Sequence, residues 1–270
     1  MKEASGLLHK MTELYSYLIC SFPEAGKRSL FERLQQIVHK KISDGFYLIA
    51  ESRIDQLRVS CEKELLLILR RVRSLIKPQL DDAKKIYQLG CLIVVAYRNL
   101  PKNPRVRKRL QRLLLRAPCF RLRKGIYAFP QLKSPGYQKF KKVLGPSRLA
   151  DSVKNLGGEV SVVSRLTVID KQSSERLLHE FKDRILKRMH KLSEKCKTIM
   201  RQVKLNEYSV IRLKKEVSEI KNNILSLKQV LFFVYRVLNL NFKREYRKVL
   251  NSYMRFRRIV NEVLLPSILI

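Results

Sequence analysis

The sequence predicts an α+β protein: a central ferredoxin-like β-α-β-β-α-β sandwich between long helices, including a coiled-coil hairpin on the C-terminal side. Three observations carry this. Apolar residues recur at threes and fours over residues 7–75 and again over 174–263. Between them, proline and glycine concentrate in residues 78–158. In that window the helical period gives way to short β-branched runs separated by turns.

The first segment reads as helix throughout. Leu7, Met11, Leu14 and Leu18 repeat at helical spacing up to the break at Ser21-Phe22-Pro23-Glu24. A second helix is expected from Ser29 to Ile42. A third runs through Tyr47, Ala50, Ile54, Leu57, Cys61, Leu65, Ile68, Val72 and Leu75 until Pro78 stops it. A short amphipathic piece opened by Asp81-Asp82 completes a helical region over residues 1–89.

Residues 90–170 form the expected sandwich. Cys91–Tyr97 is continuously apolar and β-branched, as a strand buried on both faces should be. Asn99–Pro104 is a turn, and Arg105–Ala117 is a helix stopped by Pro118. Two strands, Cys119–Arg123 and Ile126–Phe129, flank Lys124-Gly125; this turn is weaker than Asn-Gly, so a single bulged strand is the alternative. Residues 130–145 are a loop or short helix. Ser147–Leu156 is a helix ended by Gly157-Gly158, and Glu159–Ile169 is the last strand.

Residues 171–270 return to helix. Ser174 is placed to cap a helix reaching Val203. Val210, Leu213, Val217, Ile220, Ile224, Leu227, Leu231, Val234 and Leu238 then form a coiled-coil seam. The preceding helix, through Leu178, Phe181, Ile185, Met189, Leu192, Cys196 and Ile199, would pack antiparallel on it. A homodimer or a helical partner joined through the Val210–Leu238 seam is the competing use. A last basic helix is expected over Phe242–Val263.

Charge directs the functional reading. The formal net charge is +35 on 270 residues, and from residue 83 to residue 150 there is no acidic side chain against 18 lysines and arginines. One-sided fields repel themselves unless a polyanion neutralises them, so nucleic acid, DNA or RNA, is the expected partner. On a helical wheel Arg105, Arg109, Arg112 and Arg116 share an arc of about 60° and span about 16 Å, away from Val106, Leu110, Leu113, Leu114 and Ala117. Guanidinium forks suit phosphate oxygens, so these four arginines are the primary candidates. Arg121, Arg123, Lys124, Lys141, Lys142 and Arg148 extend the candidate surface. Tyr127, Phe129, Tyr137 and Phe140 lie among these cations, with Tyr127 and Phe129 read as core. A second basic cluster, Lys243–Arg258, holds seven further cations.

Enzyme signatures are missing: no phosphate-cradling glycine motif and no nucleophile elbow occurs. Asp151, Glu159 and Asp170 are the only carboxylates in or bordering the sandwich after Asp82. That is a poor set for a two-metal nuclease, which stays as the alternative function. The five cysteines form no C-x-x-C pair, so neither metal nor cofactor is expected. No apolar run approaches the roughly 20 residues of a membrane span, which leads to an intracellular, cytoplasmic expectation.

The run Ile93–Arg98 with Leu100-Pro101, the arginine-rich helix 106–115, Arg123–Pro130, and Leu149–Leu156 with Gly157–Val160 together resemble the N-terminal domain of ChrB-type chromate-resistance regulators. The same stretch, about residues 90–185, is similar to the C-terminal domain of phenylacetate-pathway repressors and, distantly, to the small CRISPR-associated ferredoxin-fold subunit. The resemblance implies a ferredoxin-like fold used in nucleic-acid transactions, often as a dimer. The CRISPR-associated relatives carry a metal-binding aspartate at the end of the first strand, where this chain has Tyr97-Arg98-Asn99. The repressors add a winged helix, and residues 1–77 show no clear wing. Chromate sensing does not transfer. The expected function is non-enzymatic binding of the phosphate backbone in a regulatory or architectural role, with a coiled-coil scaffold as a further alternative.

Overall fold

A computed structural model describes residues 15–21, 38–56, 65–83, 85–133, 136–140, 142–205 and 209–264. Contacts divide the chain into two compact units. The first takes Met1–Gln111, Cys119–Gly136 and Gly145–Leu177; the second takes Arg112–Pro118, Tyr137–Leu144 and Leu178–Ile270.

The first unit is built on an eight-stranded sheet. Its strands are β1 (Tyr15–Ser21), β2 (Val38–Ser43), β3 (Phe46–Ala50), β4 (Leu65–Arg71), β7 (Leu92–Arg98), β8 (Phe120–Arg123), β9 (Ile126–Pro130) and β10 (Glu159–Val168). A separate two-stranded ribbon, β5 (Gln79–Leu80) and β6 (Ile86–Gln88), lies between β4 and β7 in the chain. The sheet order is β2-β3-β1-β4-β10-β7-β9-β8, antiparallel throughout. Two helices complete the β7–β10 half: α1 (Pro104–Leu114) after β7 and α2 (Pro146–Lys154) after β9. The expected β-α-β-β-α-β order therefore holds from residue 92 to residue 168, with two strands around Lys124-Gly125.

The helical reading of residues 1–89 is corrected. Where those residues are described they form mainly strands, with a 3-10 turn at Glu51–Arg53 as the start of a short helical stretch. Phe46, Tyr47, Ile49 and Ala50 are all buried, and so are Leu67, Ile68 and Leu69. Consecutive buried residues mean that both faces of the sheet are covered, so no polar alternation marks the strand period. Leucine-rich runs of this kind supply apolar residues at three- and four-residue spacing by default. The helix expected to open at Asp81-Asp82 is instead a turn, with the Asp81 Oδ1 accepting from the Lys85 N–H at 2.7 Å. The expected helical positions Leu7–Leu14, 29–37 and 57–64 lie outside the described residues.

Read outward from the middle of the sheet, β4-β1-β3-β2 and β10-β7-β9-β8 follow the same order: fourth strand, first, third, second. The two hairpin turns correspond as well. Gly45 (φ 77°) precedes Phe46-Tyr47, and Gly125 (φ 84°) precedes Ile126-Tyr127. A side chain at Gly125 would meet the Tyr97 carbonyl oxygen at 2.9 Å, so both the backbone angle and the space require glycine there. The halves join where β10 leaves β7 and pairs with β4 through Leu166, Thr167 and Val168. Arg165, with φ 59°, occupies the irregularity at this switch, and its N–H donates to the Gln131 Oε1 at 2.7 Å.

The second unit is helical. It takes most of α3 (Lys171–Lys204), together with α4 (Val210–Leu238) and α5 (Lys243–Leu264). Asp170, not Ser174, caps α3: its Oδ1 accepts from the Ser173 N–H. Ser209 caps α4, and Asn239, in the left-handed region, ends it. Lys195 reaches Glu216 at 2.6 Å and Glu219 at 3.3 Å, while Arg188 reaches Asn223 and Ser226. Contacts that advance along α3 while retreating along α4 make the two helices antiparallel neighbours. Leu213, Ile220, Ile224, Leu227, Val234 and Leu238 are buried within this one chain, as are all seven expected partners on α3. No described helix is long and apolar enough to cross a membrane.

Arg188 pins this unit. Its Nη1 donates to the Leu115 carbonyl at 2.6 Å, and its Nη2 to the Asn223 carbonyl at 3.2 Å and the Ser226 Oγ at 3.3 Å. Burial pushes its pKa down to about 10, with the nearby Arg184 adding to the shift.

Candidate nucleic-acid interface

Helix α1 follows from local sequence. Asn103 turns the chain into it, its Oδ1 accepting from the Arg105 N–H at 2.8 Å, and Pro104 supplies the first helical residue. Leu110 is buried at 6 % exposure, with Val106, Leu113 and Leu114 partly covered on the same side. Arg105, Arg107, Lys108, Arg109 and Arg112 are exposed. None of these five forms an ion pair among the described residues, and the first turn contains no acidic residue. Arginine in the first turn opposes the helix dipole, so these charges weaken the helix they sit on. Stability does not account for them. Arg107 and Lys108 lie outside the wheel's narrow arc: Lys108 flanks it and widens the basic face, whereas Arg107 is exposed about 160° away from it.

The expected stripe of four arginines is shortened by one. The helix ends at Leu114, and the Arg116 N–H closes a turn onto the Leu113 carbonyl at 2.9 Å. The Arg116 guanidinium instead donates to the Lys142 carbonyl through Nε and Nη2, each at 3.4 Å. Pro118 limits how far the helix can run, so the wheel loses its last position. Arg105, Arg109 and Arg112 remain on successive turns of one helix.

The supporting candidates divide. Arg121 and Lys124 are exposed. Arg123 is half-buried with its guanidinium packed over Gly45, where any side chain would collide with the Arg123 Nη1. Its charge helps to hold the Asp44 carboxyl below the usual range, after the larger effect of Lys41. Arg148 and Lys142 are exposed; Arg148 is engaged with other groups, and the Lys142 carbonyl receives Arg116. Lys141 lies outside the described residues. Tyr127 and Phe129 are core, at 7 % and 0 % exposure. Tyr137 stacks on Phe233 at 5.1 Å and Phe140 meets its edge at 4.9 Å, so both rings anchor their loop to α4.

At the end of β7 the chemistry is a clamp. The Arg98 Nε and Nη2 donate to the Glu159 Oε2, each at 2.7 Å, and the Asn99 Nδ2 donates to Oε1 at 2.6 Å. Asn99 adopts φ 55°, which asparagine tolerates better than most residues. The hydrogen bonds from Asn99 and then Arg98 hold the Glu159 carboxyl below its ordinary value. A lowered carboxylate pKa contributes stability above the unfolded value, and that contribution is lost as pH falls through the folded value. Urea midpoints of wild type and Glu159→Gln should therefore differ at pH 7 and converge toward pH 3. A gap that stays constant would contradict this. Asp170 is occupied in capping α3, and among the described residues no three His, Cys, Asp or Glu side chains converge to hold a metal.

Compared with known proteins, the chain matches no family model, no curated protein and no solved structure.

Proposed function

We propose that the protein binds the phosphate backbone of nucleic acid, DNA or RNA, in a regulatory or architectural role and without cutting it. The observation that carries this is the exposed basic face of α1, whose four cations Arg105, Lys108, Arg109 and Arg112 have no ion-pair partner among the described residues. Backbone contacts need positive charge in fixed register, and a helix capped by Asn103 and buried through Leu110 supplies that rigidity. The strand order of the β7–β10 half and the resemblance of residues 90–185 to regulator domains support a ferredoxin-like assignment for that half. A cytoplasmic setting fits the same reading. The nuclease alternative would need carboxylates at the end of β7, and there Glu159 is held by Arg98 and Asn99. The scaffold alternative is less favoured, because six of the nine residues of the Val210–Leu238 seam are buried within the chain itself.

Fluorescence anisotropy with labelled single- and double-stranded DNA and RNA, in parallel with gel analysis in Mg²⁺ and Mn²⁺, tests this. Binding with intact probes is the expected result. Probes cleaved by wild type and spared by Asp151→Asn or Asp170→Asn would replace binding with nuclease activity, and an absence of binding to all four probes would refute the proposal.

A further inference from the structure

We propose that α5 is a second phosphate-contact surface and that its ligand is duplex DNA. It shares the ligand class proposed for α1 and none of its residues. Lys243, Arg244, Arg247, Lys248, Arg255, Arg257 and Arg258 are all exposed on α5. Arg244, Arg247, Arg255 and Arg258 fall within an arc of about 80° and span about 21 Å along the axis. The opposite side is core: Phe256 is 0 %, Val260 1 % and Val249 2 % exposed. Neutralisation within the protein is slight, since the one ion pair along α5 among the described residues is Arg258 with Glu262, at 4.0 Å. At the start of the helix, Asn241, Lys243, Arg244, Glu245 and Arg247 line an open cavity of about 460 Å³.

Three polyanions compete for such a face, and the geometry separates them. A membrane-surface helix buries its apolar side in lipid, whereas the apolar side of α5 is already buried in the protein. Single strands are held by stacking their bases on exposed rings, and no aromatic residue falls within the arginine arc. A paired duplex hides its bases and presents phosphates at one charge per about 1.7 Å of axis, which suits a straight row of guanidiniums. The wide major groove of B-form DNA accepts a helix, while the deep, narrow groove of A-form RNA does not.

The test uses the full chain and a labelled DNA duplex of about 20 base pairs, with affinity measured between about 50 and 200 mM salt. Changing Arg244, Arg247, Arg255 and Arg258 to Gln should lower the slope of log affinity on log salt by about 3 to 4, at about 0.9 per lost phosphate contact. Circular dichroism should stay at the wild-type level. A milder Arg247→Gln/Arg255→Gln variant should lose about half as much, which keeps the test valid if the fourfold change disturbs folding. A wild-type slope and affinity in both variants overturns the inference and leaves the α1 reading intact. Loss confined to an RNA duplex or to phosphatidylserine vesicles overturns it as well. If changing Arg105, Arg109 and Arg112 has no effect while the α5 change does, the α1 reading falls and this one stands.

Discussion

Replacing Arg105, Arg109 and Arg112 together by glutamate is expected to lower nucleic-acid affinity about 500-fold at about 0.1 M salt, whatever the probe sequence. Each phosphate contact releases close to one condensed counterion, which at that salt is worth a little under tenfold, so three contacts multiply to about this loss. Phosphate contacts position a ligand without reading bases, so the loss should be uniform across sequences. The same substitutions should not harm folding. All three side chains are exposed, and glutamate at position 105 places a negative charge in the first turn, where the helix dipole favours it. A urea midpoint equal to or above wild type, with binding lost, is the signature of a functional face. Binding lost together with the fold would point to a structural role instead.

Arg188→Ala should destabilise the protein by about 2 kcal/mol, read as a lowered urea midpoint. The guanidinium satisfies the carbonyls of Leu115 and Asn223 and contacts the Ser226 Oγ, three acceptors on two separate segments. Truncation removes a donor from each in a partly buried setting, where the Leu115 carbonyl keeps only the 3.4 Å bond from the Ser226 Oγ, and a poorly satisfied buried polar group costs about 1–3 kcal/mol. Arg188→Met keeps the length and removes the charge. It should recover part of the loss, because burying an arginine without a carboxylate carries a desolvation cost of its own, seen in the lowered pKa. An alanine variant as stable as wild type would show that water replaces the guanidinium at no cost.

The β7–β10 half was legible because its signals are local. β-Branched runs, Pro118, Gly125 and Gly157-Gly158 punctuate it, and the strands and helices fall within a few residues of their expected limits. The β1–β4 half was not, because strands covered on both faces carry no period. A signal did exist in the order of residues. Arg33-Leu34-Gln35 followed by Asp44-Gly45-Phe46-Tyr47 parallels Arg109-Leu110-Gln111 followed by Lys124-Gly125-Ile126-Tyr127, and comparing the chain with itself exposes it. In the candidate site, charge and helical period located α1. They could not show that the helix stops short of Arg116, nor that distant residues would engage its neighbours. Glu159 reaches Arg98 from the start of β10, and Gly45 receives Arg123 from the β2–β3 turn.

The central claim, that α1 holds phosphate by charge, is tested most directly by the salt dependence of binding in wild type and in the Arg105/Arg109/Arg112→Glu variant. Plotted as log affinity against log salt, the wild-type line should be steep and the variant's shallower by about 3. Two lines of equal slope would contradict it.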